Sequence, residues 1–205
     1  MAGSGGLTRP GLVIGKLNNY YLSDMAVPVA LVGEKAGPLT RLAFGFAGRD
    51  LSGSARGMRV VKSETELAAM RRAAAITSAA FGDIHPLIRP QVSEADIDRA
   101  IRESFARHGA TGIAFPGIVG SGANAVLPHY QRNDAEMTDG LVVIDIGSAV
   151  DGYASDMTRT FSVSGRYGEA ERLLIETVIE AGDAARAVLA AGVTMKMVDQ
   201  ASRRV

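Results

Sequence analysis

The run Leu141-Val142-Val143-Ile144-Asp145-Ile146-Gly147-Ser148-Ala149-Val150-Asp151-Gly152-Tyr153-Ala154-Ser155-Asp156-Met157-Thr158-Arg159-Thr160-Phe161 reads as two short strand-like segments around a glycine-containing turn. Residues 141–146 are rich in β-branched side chains, and Val150-Asp151-Gly152-Tyr153 supplies an Asp-Gly turn of the kind that closes a two-stranded hairpin. The second strand then runs through residues 158–163. Each segment carries an aspartate, Asp145 and Asp156, eleven positions apart. A carboxylate at the end of an apolar run is costly to bury alone, so it ends up paired, hydrogen-bonded or coordinated to a cation. Side chains alternate faces along a strand, so the two aspartates share one side of the ribbon only if the turn sets the register accordingly. The spacing permits that. It equally permits a plainer arrangement in which Asp156 caps a strand start and Asp145 pairs with a nearby base such as Arg159.

Outward from this ribbon the chain reads as helices. Ser63-Glu64-Thr65-Glu66 fits a capping box, and Leu67, Met70, Ala74 and Phe81 then repeat at near-helical intervals up to Gly82. Ser93 opens a second helix whose face of Ile97, Ile101 and Phe105 ends at the His108-Gly109 stop. Strands are expected at residues 113–119 and 141–146. A third helix follows over 168–191, with Leu173, Leu174, Val178, Ala181, Ala185, Val188 and Leu189 on its apolar side, and residues 195–205 read as the start of a fourth, cut mid-element. These apolar stripes are expected to be core, and the class is α+β, with helices on one face of a mainly antiparallel sheet. Residues 1–57 begin with the flexible Met1-Ala2-Gly3-Ser4-Gly5-Gly6 and suggest short strands at 12–14, 27–32 and 42–46. They read as a short N-terminal segment, the remnant of a preceding domain, ahead of a main region at 58–205.

Composition excludes several classes. With 205 residues and 47% hydrophobic content the chain can bury one ordinary core. Twenty-two basic against 22 acidic residues give no electrostatic case for nucleic acid or membrane surfaces. The lack of cysteine rules out a disulfide framework and a thiolate nucleophile, and is compatible with a reducing compartment. No apolar run approaches the roughly 18 residues of a membrane span, and no basic segment precedes an apolar one at the N-terminus. A cytoplasmic protein is expected.

Several motifs in order resemble the first half of the catalytic domain of the pita-bread metallopeptidases, the creatinase, aminopeptidase P and prolidase type. Phe115-Pro116-Gly117-Ile118-Val119-Gly120-Ser121-Gly122-Ala123-Asn124-Ala125 is similar to the strand and glycine turn before that family's substrate histidine. His129-Tyr130 and Asn133 match its His-Tyr-x-x-Asn element, and the two aspartates keep its eleven-residue spacing before Asp-Met-Thr-Arg-Thr-Phe. Upstream, Val61-Lys62-Ser63-Glu64-Thr65-Glu66-Leu67-Ala68-Ala69-Met70-Arg71 resembles the opening of the same domain. The branch most resembled is that of the Xaa-Pro aminopeptidases.

The resemblance implies a truncated pita-bread fold and a site of two divalent metal ions, with manganese ahead of cobalt or zinc. It implies five ligands, two Asp, one His and two Glu, of which only Asp145 and Asp156 have counterparts here. His129 corresponds to a histidine that donates a hydrogen bond to the substrate or the tetrahedral intermediate; read without the motif, it is a solvated loop residue. Tyr130 and Asn133 read as supports of that loop, and Arg159 as either an orienting partner of Asp156 or a solvated strand residue. His85 and His108 read as structural or surface residues at helix ends. The implied substrate is a peptide with proline at the second position, and a homo-oligomer is allowed. Two further readings compete: a pita-bread hydrolase of a small non-peptide amide or amidine, and a non-catalytic half-domain that binds a partner through an apolar face left uncovered.

Overall fold

A computed structural model describes residues 57–205 together with two short strands, β1 (Ala30–Leu31) and β2 (Arg49–Asp50). The chain divides into two compact units, Met1–Arg71 and Arg72–Val205. In the first, β1 and β2 pair in parallel. The strands expected at 12–14 and 42–46 lie outside the described residues, as does 27–32 apart from Ala30 and Leu31. Helix α1 (Glu64–Ile84) starts on the expected capping box: Ser63 N donates to Glu66 Oε2 at 2.6 Å and Glu66 N to Ser63 Oγ at 3.3 Å.

In the second unit, α1 presents Ala73, Ile76, Ala80 and Ile84 to the core at spacings of three and four residues. The expected stripe of Leu67, Met70, Ala74 and Phe81 is out of phase, and only Phe81 belongs to the buried cluster. The true face is made of alanines and Thr77, whose small side chains let the helix approach closely but give the hydrophobic pattern little contrast. The helix also passes through Gly82 to Ile84 before a 3₁₀ turn, His85–Leu87. Helix α2 (Glu94–Arg107) follows the expectation: Ser93 caps it by accepting from Asp96 N, Ile97, Ile101 and Phe105 are buried, and Gly109 leaves it at φ +80°.

The sheet is antiparallel but split in two. Strands β4 (Ile118–Ser121), β5 (Leu141–Ile146) and β8 (Met157–Ser162) form one sheet with β5 central. Strands β3 (Gly112–Ile113), β6 (Ser148–Val150) and β7 (Tyr153–Ala154) form the other. The strand expected over 113–119 is therefore interrupted, its two ends serving different sheets. The hairpin turn falls where expected, at Asp151 and Gly152 with φ of 51° and 82°, positive at both central positions as a type I′ turn requires. Along β5, Val142, Ile144 and Ile146 are buried in the cluster formed with α1 and α2, while Leu141, Val143 and Asp145 face the other way. One face of this sheet carries the helical core.

Helix α3 (Glu169–Ala187) and helix α4 (Met195–Ser202) contain no buried residue. The apolar side of α3, expected as core, is exposed: Leu173 66%, Val178 64% and Leu189, just past its end, 62%. Amphipathic periodicity records that a face is apolar, not what covers it. Helix α4 ends at Ser202 rather than running to residue 205. Among the described residues, no helix is long and apolar enough to cross a membrane.

The passage between the two sheets depends on Gly147. A Cβ there would collide with the carbonyl oxygen of Ser155 and lie 2.8 Å from Phe115 Cε1 and 3.0 Å from Ala114 Cβ. The neighbouring backbone is pinned by a buried hydroxyl cluster: Ser148 N donates to Thr77 Oγ1 at 2.9 Å, Thr77 Oγ1 meets Ser155 Oγ at 2.7 Å, and Ser148 and Ser155 hydroxyls donate to Ala73 O at 2.9 and 3.1 Å. These bonds tie α1 to both strands of the ribbon at the point where it changes sheet. Gly147→Ala is expected to lower the unfolding free energy by about 2–3 kcal/mol through overpacking against backbone; an unchanged urea midpoint would contradict this close approach.

Candidate metal centre

Asp145 stands opposite Ile118 on β4 and Thr158 on β8. Asp156 lies two residues before Thr158 and so projects to the same face, diagonal to Asp145. Asp145 is close enough to act on the Asp156 carboxyl. Burial and then the adjacent Asp145 charge push the Asp156 carboxyl above the ordinary carboxylate range. Thr158 Oγ1 donates to Asp145 Oδ1 at 2.8 Å, fixing that side chain from the neighbouring strand β8. The turn register thus meets the condition that the sequence left open.

The plainer arrangement fails on the same register. Arg159 alternates to the core face, where its guanidinium lies 5.8 Å from the Phe81 ring centroid and donates to Thr158 O at 2.7 Å. It pairs with neither aspartate and does not orient Asp156. Among the described residues, no Lys, Arg or His ion-pairs with either carboxylate. Two like charges held together without a balancing base suit a hard divalent cation, which takes carboxylate oxygens. The donor set stops there: among the described residues, no three His, Cys, Asp or Glu side chains gather as a metal cluster.

His129 belongs to the same face. With Asp145, Thr158, Val143, Gly120 and Leu127 it lines an open cleft of about 340 Å³. Its φ of 55° is unusual for a side chain other than glycine and follows from the tight course of the loop. Gly120 permits that course, because a Cβ there would sit 2.9 Å from the Asn124 carbonyl oxygen, where the 3₁₀ turn Gly122–Val126 folds back over β4. Asn133 supports the loop as expected: its side chain accepts from Val119 N and donates to Gly117 O, both at 2.9 Å. Tyr130 is buried, and its hydroxyl donates to Glu94 Oε2 at 2.8 Å. Burial first, and then that carboxylate, push the tyrosine up to about 12. The remaining histidines lie elsewhere, His85 against Phe161 at 5.4 Å between ring centroids and His108 on Asp83 at 3.1 Å.

Glu94 is the residue that the sequence pattern hides. An acid directly after an N-cap serine reads as a partner of the helix dipole, yet Glu94 is fully buried and accepts hydrogen bonds from the loop. Burial alone would raise its carboxyl; the donors of Ser121, Asn124, Tyr130 and Ala135 outweigh it and hold the group below the usual range.

The sign of the Asp156 shift gives a test. A carboxyl raised in the folded state favours folding while protonated, and that contribution is lost as pH rises through the carboxylate range. Without added metal, Asp156→Asn should therefore raise the melting temperature at pH 7 by about 1–3 °C and make little difference at pH 3. A thermal scan showing destabilisation at pH 7 would refute this.

Comparison with known proteins agrees with this geometry. The profile of metallopeptidase family M24 matches residues 68–205. The Xaa-Pro aminopeptidase of Escherichia coli strain K12 is 38% identical over 162 residues, which are 78% of this chain and 37% of that protein. An X-Pro aminopeptidase structure from Thermotoga maritima superposes with a TM-score of 0.78 at 30% identity, covering 86% of this chain and 51% of that one. A zinc-substituted E. coli aminopeptidase P in complex with product gives 0.74 at 36% identity, covering 76% and 36%. The expected α+β pita-bread architecture is thus present in part, and the chain spans little more than a third of the E. coli relative's length. By the matched profile and these relatives, the chain belongs to metallopeptidase family M24.

Proposed function

We propose that this chain carries part of a binuclear metallopeptidase site that cleaves the bond between an N-terminal residue and proline. The observation that supports this best is the diagonal pair Asp145 and Asp156, without a basic partner among the described residues, on the face where His129 lines the cleft. Asp145 and Asp156 would be two of the ligands of a two-ion site, manganese ahead of cobalt or zinc. Bound there, the ions would supply Lewis acidity and an activated water. His129 would donate a hydrogen bond to the substrate carbonyl or the oxyanion that develops from it. Ile118, Val143 and Leu127 give the cleft apolar walls suited to an aliphatic or proline side chain.

Two carboxylates are too few to fix an ion for hydrolysis, so the remaining ligands, one His and two Glu by family resemblance, would come from further polypeptide. The exposed apolar side of α3 supports this incomplete-domain reading, since a face of that kind needs a cover. We place the working protein in the cytoplasm, with a main domain from about residue 58 and association of copies allowed.

Calorimetric titration with Mn²⁺ tests the metal assignment. The chain is expected to bind with a dissociation constant on the order of 10⁻⁴ M or weaker, with affinity falling at least about tenfold in Asp145→Ala and in Asp156→Ala. Equal binding by both variants would remove the two aspartates from the metal site. Tight two-ion binding by the wild-type chain would instead show that the site is completed within it or by self-association, and hydrolysis of Xaa-Pro peptides would then be measured directly.

A further inference from the structure

We infer that Glu94 is a positioning residue, the buried anion around which the loop bearing His129 is folded. The inference rests on the substrate-facing role proposed for His129 and extends it to what holds that histidine in place.

Glu94 gathers donors from across the segment 121–135. Its Oε1 accepts from Ser121 N and Ser121 Oγ at 2.8 Å each and from Asn124 Nδ2 at 3.1 Å. Its Oε2 accepts from Tyr130 OH at 2.8 Å and Ala135 N at 3.0 Å. The partners lie where the segment leaves β4, in its 3₁₀ turn, directly after His129, and where it returns. The return is fixed again by the backbone, with Glu94 N donating to Ala135 O at 2.9 Å. Asn124 Nδ2 also donates to Tyr130 OH at 2.9 Å, closing a ring of bonds beneath the cleft. The cleft wall from Asn124 to His129 has exposed or half-exposed side chains and no apolar core of its own. Its shape therefore depends on the anion below it.

An anion suits this position because every group aimed at it is a donor. Two are backbone N–H groups on different carboxylate oxygens, which cannot be turned away, so an amide, which keeps one oxygen and presents N–H in place of the other, would leave one of them without its acceptor. The helix supports the same charge state, since Glu94 is the first residue of α2, where the unsatisfied N–H groups favour a negative side chain. The unusual backbone at His129 and Asn133 persists only while the surroundings impose it. Glu94 contacts Tyr130, the neighbour of His129, and is not itself assigned a contact with substrate.

Amide hydrogen exchange and the imidazole signal of His129, recorded by NMR on the full chain, test this. In Glu94→Gln the amides of Leu127 and Tyr130, which bond within the loop rather than to Glu94, should exchange at least about tenfold faster, with β5 and β8 amides unchanged. The His129 imidazole signal should move from its wild-type position, because the backbone that carries it changes course. Should Glu94→Gln fail to fold, Tyr130→Phe carries the test, because it keeps the carboxylate and its backbone donors. It should loosen the same amides by a smaller factor and shift the same signal. Unchanged loop exchange with an unmoved His129 signal would overturn the inference, as would faster exchange spread uniformly over β5 and β8. None of these readouts needs metal or substrate. A failed Mn²⁺ titration would therefore remove the peptidase reading while leaving the loop result to stand or fall by itself.

Discussion

The structure turns on the contact at Gly147, where the chain leaves one antiparallel sheet for the other with the Ser155 carbonyl packed against its backbone. Because no side chain fits between these strands, the ribbon is drawn tight one residue after Ile146, and Asp156 is brought level with the end of β5. Thr77, Ser148 and Ser155 lock this arrangement to helix α1. A looser crossing would leave Asp145 on its strand but would release Asp156 from its diagonal position beside it.

From that constraint the sheet divides its labour by parity. Even-numbered positions of β5 build the core with α1 and α2, and odd-numbered positions face the cleft. The same alternation on β8 sends Thr158 to Asp145 and Arg159 to Phe81, so the ready base beside the aspartates is carried away from them. The carboxylates keep their like-charge repulsion, a cost to the fold and a condition for cation binding. Across the cleft the loop of residues 121–135 is organised by polar contacts instead of apolar packing, with Glu94 beneath it and Asn133 stitched to Gly117 and Val119.

Much of this was legible in the residues, and the exceptions have physical causes. The hairpin turn, the capping box at Ser63 and the buried face of α2 came through because each rests on local chemistry: positive φ at Asp-Gly, reciprocal side-chain to backbone bonds, and large aliphatic residues at helical spacing. The pairing of Asp145 with Asp156 was allowed by spacing but decided by register, which local sequence does not carry. The α1 face was misphased because its contacts are alanine and threonine. The α3 stripe was sound as a pattern, yet its covering lies outside what periodicity can report. Glu94 was hidden because burial of an acid depends on donors that arrive from up to 41 residues away.

The central claim, that Asp145 and Asp156 share a cation across the strand diagonal, is tested most directly by paramagnetic broadening in solution. Substoichiometric Mn²⁺ added to ¹⁵N-labelled chain should broaden the amides of Asp145, Ile146, Asp156 and Thr158 first, leave those of α4 sharp, and lose this selectivity in Asp145→Asn. Broadening centred elsewhere, or the same pattern in the variant, would contradict the account.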